Sequence, residues 1–532
     1  MTNINKLLQD HVTLTVECLD RIYLNGYIPT LQLPGQLVEF LIEQRERPIP
    51  SPALLGQITQ QFVESVKSFA AQNGIPIVHF KSGERKDDIA AEYRKRFNKA
   101  EGVVFIGVAQ EKAQAFKGRK KDQTGYVGFE YTRESVYVNH YYFYIQDADF
   151  GPAFIKVCSY APYPVKVCLN GHEWAKQQLR QAGIAFEPLD NGFLSCADPT
   201  ALQAICDRLG TEQIQAFFDK WVGRLPWPLT PADREAGYYH RLAVWQLEVS
   251  HIQVFDDPVH GREFFETVIR ENLDLGRPDR VQLIFDRKVI KTTPGQFRTR
   301  IIEDGVQPSL HIEYKKSQVK QYFKEGRALR TEMTINRPKD FGVNKGLAHL
   351  PYLQQIGRSI NRRLLDVQRV SHDCHLSQAS VERVVLPTVT ADGQRAPGLR
   401  FGQSRVMALF AALALFVPAA CGFTHRTLRP LVAALLGVPE EQYTANQLTY
   451  DLRRLRLKGI IWRVPGTQRY VLTPYGRKVV LFFTRLHARV FRVGFAALDP
   501  TAVIPSPLAE ALAQVDREID RLIDDTYLAA NP

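Results

Sequence analysis

The clearest helical pattern lies towards the C-terminal end of the chain. Leu448, Leu452 and Leu455 recur at i, i+4 and i+7, which turns one face of a helix inward. Thr444, with Gln447 three residues on, has capping-box spacing, and Gly459 supplies a stop. On that helix Thr449, Arg453, Arg454, Arg456 and Lys458 are predicted to point mainly outward. Apolar helices are predicted at 404–417 and 425–436, the second stopped by Gly437 and Pro439. Short strands at 460–464 and 469–473 flank Pro465-Gly466-Thr467, and 475–490 reads as a helix. A last stripe, Leu508, Leu512, Val515, Ile519, Leu522 and Ile523, predicts an amphipathic helix over 508–528.

Upstream the pattern is mixed. Residues 3–46 and 51–72 read as helices broken at Pro29, Pro34-Gly35, Pro48 and Pro50. Strands are predicted at 75–80 and 103–108, with a charged helix between them. Strands at 136–146, 153–160 and 163–169 are followed by a helix at 172–182, a fourth strand at 184–188 and a helix at 198–209. Further strands are predicted at 281–286, 297–303 and 309–314, with two more around a turn at 324–326. The expected fold class is α/β (α+β) and multidomain. The expected segments are 1–135 (helical and α/β), 136–260 (an α/β core), 261–345 (β-rich and basic) and 346–386 (a helical connector). A linker at 387–400, a domain at 401–495 and a final helix at 500–532 complete the order.

Composition narrows the classes. The chain has 532 residues, 45% hydrophobic and 23% charged, which fits a globular protein and excludes disorder over most of its length. Seven cysteines with no CxxC pair argue against a disulfide scaffold or zinc ribbon and fit a reducing, cytoplasmic compartment. The most apolar run, 406–420, contains Pro418 and is shorter than the roughly 20 residues a bilayer requires. No membrane partner is expected. Residues 401–495 hold fourteen Lys and Arg against three acids (Glu440, Glu441, Asp451), a local +11 in a chain of net +12. Charge this concentrated points to a polyanion partner.

The order helix, helix, helix, hairpin at 402–490, with LTYDLRRLRLKGIIWRVPGTQRYVLTPYG, resembles the winged helix-turn-helix family. The resemblance implies DNA as partner. Thr449, Arg453, Arg454, Arg456 and Lys458 would lie on a recognition helix, and Arg463 and Arg469 on the wing. RNA stays open as a second partner, and the pattern fixes no oligomeric state.

Residues 136–255, with FEPLDNGFLSCADP at their centre, resemble the ribonuclease H-like fold of retroviral integrases and DDE transposases. That resemblance implies an Mg²⁺ site built from Asp147, Asp190 and a later helical acid, Glu248, with Glu235 as the alternative. Two hard cations would activate an attacking oxygen and stabilise the leaving one. Against it, Asp147 falls at a strand end, and Asp147 and Asp190 also read as ordinary turn formers.

In YKKSQVKQYFKEGRALRTEMTIN, Lys316, Lys320, Arg327 and Arg330 interleave with Tyr314, Tyr322 and Phe323. This suits a platform for single-stranded nucleic acid, or equally a lysine-protected sheet edge. The run from Lys320 through Arg330 to Glu332 is similar to plasmid and phage replication initiators. The segments SYAPYPVKVCLNGHEWAKQQL and KEGRALRTEMTIN also resemble large bacterial proteins. His372-Asp373-Cys374-His375 offers metal ligands without a second cluster, and no Walker or GxSxG motif occurs. Two functions follow: a metal-dependent DNA nuclease or strand transferase of a mobile element, or a non-enzymatic nucleic-acid-binding protein of regulatory or replication-initiator type.

Overall fold

The computed structural model describes residues 4–487 except 121–128, 272–274, 277, 288, 291, 305–306, 325, 371–375, 391–392, 415 and 417–421. Beyond 487 it describes only 514, 517, 518 and 521. The helix expected over 508–528 lies almost wholly outside the described residues, and His372-Asp373-Cys374-His375 wholly so. The chain divides into two units, Met1–Leu364 and Leu365–Pro532.

The first unit begins with α1 (Ile4–His11), β1 (Val12–Tyr27), α2 (Pro34–Glu39), α3 (Pro52–Asn73), β2 (Ile77–His79), α4 (Lys86–Arg96), β3 (Gly102–Lys120) and β4 (Phe129–Asp147). Next come β5 (Gly151–Cys158), β6 (Val165–Asn170), α5 (Gly171–Gln181), β7 (Phe186–Leu189), β8 (Gly192–Cys196), α6 (Pro199–Arg208) and α7 (Thr211–Arg224). It ends with α8 (Pro231–Glu235), β9 (Arg241–Phe255), α9 (Pro258–Glu271), α10 (Pro278–Phe285), β10 (Thr299–Asp304), β11 (Gln307–Tyr314), β12 (Ser317–Lys324), β13 (Ala328–Ile335) and most of α11 (Leu350–Val370). Eleven strands form one sheet in the order β10-β11-β12-β13-β9-β1-β6-β5-β4-β3-β2. The segments 1–135, 136–260 and 261–345 therefore share a single sheet.

Three sequence expectations change here. Residues 12–27, expected as helix, form the central strand β1, because the run VTLTVECL is rich in β-branched residues and both its edges find partners in β6 and β9. Glu248 was expected on a helix and stands on strand β9. A long apolar run buried on both faces does not separate helix from strand by periodicity. The strand expected at 281–286 is helix α10, which Pro278 starts. The ribonuclease H-like arrangement also changes. Its expected fourth strand, β7, pairs only with β8 in a separate hairpin, and the edge of β6 is taken by β1 through Arg21 and Asn170.

Between β1 and β9 the register runs Leu19–Val249, then Ile22–Leu247. Asp20 and Arg21 thus oppose Glu248 alone. Such a bulge re-aims side chains. Helices lock the sheet on either side of it. A Cβ on Gly171, at the start of α5, would lie 2.0 Å from the Leu19 carbonyl oxygen, so only glycine lets α5 approach. A Cβ on Gly357 of α11 would lie 2.5 Å from Val249, and Asn361 Nδ2 donates to the Val249 carbonyl at 2.8 Å.

The second unit contains α12 (Gln378–Val385), β14 (Thr388–Val389), β15 (Arg395–Ala396), α13 (Ser404–Ala414), β16 (Phe423–Thr424), α14 (His425–Leu436), α15 (Ala445–Leu457), β17 (Ile461–Arg463), β18 (Arg469–Leu472) and α16 (Pro474–Leu486). Its small sheet has the order β16-β18-β17. Thr444 and Gln447 form the reciprocal cap of α15, and Gly437 ends α14 at φ 71°. Leu448, Leu452 and Leu455 join Leu409, Phe410, Leu428 and Val480 in the core. The stretch 387–400, expected as a linker, is built into this unit: Leu399 and Ala396 are fully buried, Arg454 of α15 donates to the Gly398 carbonyl, and Lys458, which follows α15, donates to the Thr388 hydroxyl. No described helix is long and apolar enough to cross a membrane.

Candidate metal centre and nucleic-acid surfaces

The three acids expected to share ions are separated. Asp147 is buried, but every contact it makes is structural. Its Oδ1 accepts the backbone N–H of Asp149 and Phe150 at 2.9 and 3.0 Å, closing the β4–β5 turn. Its Oδ2 accepts Trp221 Nε1 at 2.7 Å and Lys220 Nζ at 2.8 Å, which ties α7 to that turn. Asp190 sits in the β7–β8 turn with its side chain 89% exposed, 3.2 Å from Lys324 Nζ. Neither belongs to a group of three metal-capable side chains among the described residues; Glu248 does, with Asp20 and Glu332. Glu235, the alternative, ends the short helix α8 and is likewise outside the group.

Asp20, Glu248 and Glu332 bring one carboxylate oxygen each within 4.8 Å of the others. Strand register explains this. Glu332 pairs with Ser250 and Thr334 with Glu248, so Glu248 and Glu332 share a face two residues apart. The bulge turns Asp20 towards the same place. Lys320 pairs with Glu332 and Tyr322 with Arg330, which adds two cations and a phenol to that face.

Each group has a defined environment. Asp20 is buried. It accepts Asn191 Nδ2 at 2.8 Å, contacts the Arg330 guanidinium, and lies 3.3 Å from His172 Nδ1. Glu332 lies 2.7 Å from Lys320 Nζ and 3.0 Å from Arg330 Nε, and it accepts the Tyr322 hydroxyl at 3.3 Å. Burial works against ionisation of Glu332, but Arg330 and Lys320 outweigh it and hold the carboxyl below its ordinary value. Glu248 is 9% exposed, and no hydrogen bond or ion pair engages its carboxylate among the described residues. Burial, then the charge of Glu332, push it above the usual range. Burial and Glu332 likewise push the Tyr322 phenol upward. Three carboxylates this close, one of them engaged by no protein donor among the described residues, are a donor set that a hard cation such as Mg²⁺ or Mn²⁺ satisfies.

Several expected nucleic-acid contacts prove structural. Arg330 is 1% exposed inside the acidic cluster. Lys320 pairs with Glu332, and Arg327 donates to the carbonyls of Phe255 and Asp256. Of that set only Lys316 is exposed, in the β11–β12 turn. On α15, Arg454 is 8% exposed, lies 3.5 Å from Asp451 and donates to the Gly398 carbonyl at 2.5 Å. Lys458 is fully buried, and its Nζ donates to the carbonyls of Arg383 and Leu386 at 2.9 and 2.7 Å. The helical period points Arg454 outward and sets Lys458 beside the apolar stripe; contacts with the carbonyls of Gly398, Arg383 and Leu386 bury both. Thr449, Arg453 and Arg456 face solvent on α15, as do Arg463 and Arg469 on the β17–β18 hairpin. Tyr450 and Trp462, 45% and 51% exposed, stand among them.

A groove of about 850 Å³ opens in the first unit beside β1, β5 and β6. Lys112, Arg133, Lys156, Lys166 and Lys345 line it with one acid, Glu111. Trp245, 47% exposed, has Lys166 Nζ 5.0 Å and Lys345 Nζ 5.8 Å from its ring centre. Asn25 pairs with Lys166 and Arg21 with Asn170, so β1 carries the groove's face towards Arg21, which feels the charge of Glu248. Asp20 and Trp245 carry no sequence signal of their own. Tyr322 and Glu332 lay within a pattern already noted, whereas Asp20 depends on the bulge and had no local signal.

No family model matches the chain, and no curated protein does. Among solved structures, the rolling circle replication initiator protein from Geobacillus stearothermophilus is similar over 65% of this chain and 79% of that one, at 10% identity and a TM-score of 0.22, a level that carries no argument about fold or function.

Proposed function

We propose that the chain is a divalent-metal-dependent enzyme that breaks and transfers a phosphodiester bond in DNA, with Asp20, Glu248 and Glu332 as metal ligands. The observation that carries this reading is the largely buried Glu248 side chain, engaged by no hydrogen bond or ion pair among the described residues, beside two further carboxylates and a phenol. A bound divalent cation would polarise the phosphate and lower the phenol's proton affinity. Tyr322 is then the nucleophile: its oxygen bonds to phosphorus, its proton passes to the carboxylate of Glu332, the bond to the 3′-oxygen breaks, and a proton returned from Glu332 through water neutralises the departing oxygen. The products are a phosphotyrosine ester and a free 3′-hydroxyl, which conserves the ester for transfer. Lys320 and Arg330 balance the charge of the carboxylates.

The Trp245 groove supports a single-stranded substrate, since a solvent-facing indole between lysines suits base stacking beside phosphates. Thr449, Arg453, Arg456, Arg463 and Arg469 form a basic face that fits a duplex, in the manner of a winged helix. The test is incubation of the purified protein with labelled single- and double-stranded DNA, with Mg²⁺, Mn²⁺ or chelator. Glu248→Gln and Tyr322→Phe variants run alongside, and binding is scored separately. Metal-dependent cleavage that leaves a covalent protein–DNA species, lost in both variants while binding persists, is the expected result. Salt-sensitive binding without cleavage under any metal would return the protein to the non-enzymatic, DNA- or RNA-binding reading.

A further inference from the structure

A second ligand cluster lies away from the carboxylates. His11 closes α1, Asp256 follows β9, and His260 falls in the first turn of α9. Asp256 bridges the two rings. His11 Nδ1 lies 2.9 Å from its Oδ2 and His260 Nδ1 lies 2.8 Å from its Oδ1. The imidazoles stack with centres 3.6 Å apart and planes at 27°. One ligand atom from each residue lies within 4.8 Å of the others. The backbone already ties two of the three together, because the Asp256 N–H donates to the His11 carbonyl at 2.9 Å, and the Arg327 guanidinium donates to the Asp256 carbonyl at 3.0 Å. All three side chains are 30–41% exposed, so an ion can reach them.

We infer that His11, Asp256 and His260 form a binding site for a borderline divalent transition ion of the zinc type. Two imidazole nitrogens and one carboxylate oxygen are the donor set such an ion takes at about 2.0–2.2 Å, and a water completes a tetrahedron. Nitrogen donors favour Zn²⁺, Co²⁺ or Ni²⁺ over Mg²⁺, so the site differs in kind from the all-carboxylate cluster. The helix ends act in opposite directions, since the C-terminus of α1 attracts a cation and the N-terminus of α9 repels one. The ligands therefore decide. Ligands that lie 245 residues apart in sequence would pin α1 to the end of β9 through one ion. The inference does not depend on the chemistry proposed for Glu248.

The test uses the full chain, stripped of metal and titrated with Co²⁺ in excess Mg²⁺, which occupies hard-oxygen sites. One equivalent of Co²⁺ with the visible absorption of a nitrogen-ligated, four-coordinate ion, displaced by Zn²⁺, is expected. His260→Gln and His11→Gln should each weaken binding at least tenfold, while Glu248→Gln leaves it unchanged. Zinc X-ray absorption, counting two imidazoles, gives a second readout that needs no variant. The inference is overturned by the absence of stoichiometric binding, by binding indifferent to both histidine variants, or by binding that Glu248→Gln removes.

Discussion

Arg330→Met is the most informative single change in the molecule. The guanidinium is 1% exposed. It contacts Asp20, lies 3.0 Å from Glu332 and donates to the Asn191 carbonyl at 2.8 Å. Methionine keeps much of the stem volume but removes the cation that Asp20 and Glu332 face. Breaking a buried ion pair by deleting one partner costs about 3–5 kcal/mol, because the remaining charges stay buried. At roughly 1.3 °C per kcal/mol for a unit of this size, the melting temperature in chelator should fall by about 4–7 °C. The same deletion strengthens the field for a divalent ion among three carboxylates. An ion present at a hundred times its dissociation constant would restore about 2.7 kcal/mol. The assay is thermal or urea unfolding of wild type and variant, in chelator and in millimolar Mg²⁺ or Mn²⁺. The variant should gain more from the ion than wild type does. Equal stability of the two proteins in chelator would refute the buried-pair argument. A destabilised variant that ignores divalent ions would refute the metal-site argument.

Other changes separate structural cations from binding ones. Lys458→Met should destabilise the second unit by ~3 kcal/mol, since two buried carbonyls lose a charged donor; a urea midpoint for that unit checks it. Arg456→Ala should leave that midpoint unchanged and reduce the slope of log K against log salt for duplex DNA by about 0.9. Trp245→Ala should weaken single-strand binding by the ~1–3 kcal/mol typical of one stacked base, measured by fluorescence titration, with duplex binding spared. Burial first holds His140 and His240 down to about 4, with Lys156 and Arg234 adding to it respectively. Both stay neutral in the fold while the unfolded chain protonates near 6.5, so stability is intact above 6.5 and is lost as pH falls from 6.5 to 4. Each contributes ~3 kcal/mol at the full extent, and unfolding near pH 5 should take up about two protons from this pair, measurable from the pH dependence of the urea midpoint.

The sequence by itself determined the second unit most fully. Its helices have 3.6-residue stripes, a capping box at Thr444 and Gln447, and glycine stops, all of them local signals that survive in the fold. The concentration of charge there was legible as well. Which of those cations reach solvent was not: Arg454 and Lys458 are claimed by the carbonyls of 383–398, a contact that sequence spacing cannot announce. In the first unit the antiparallel strands β11 to β13 were legible from alternation, and the run that contains Tyr322, Arg330 and Glu332 stood out. The candidate site was only partly visible. Glu248 was singled out for a helix it does not form, and Asp147 and Asp190 proved to serve turns. The remaining members, Asp20 and Glu332, lie 228 and 84 residues from Glu248 and meet it only through the pairing of β1, β9 and β13. Tertiary structure decided the site because a bulge and two strand registers, all of them long-range, set where three carboxylates converge. No local periodicity encodes a register between strands so distant in the chain.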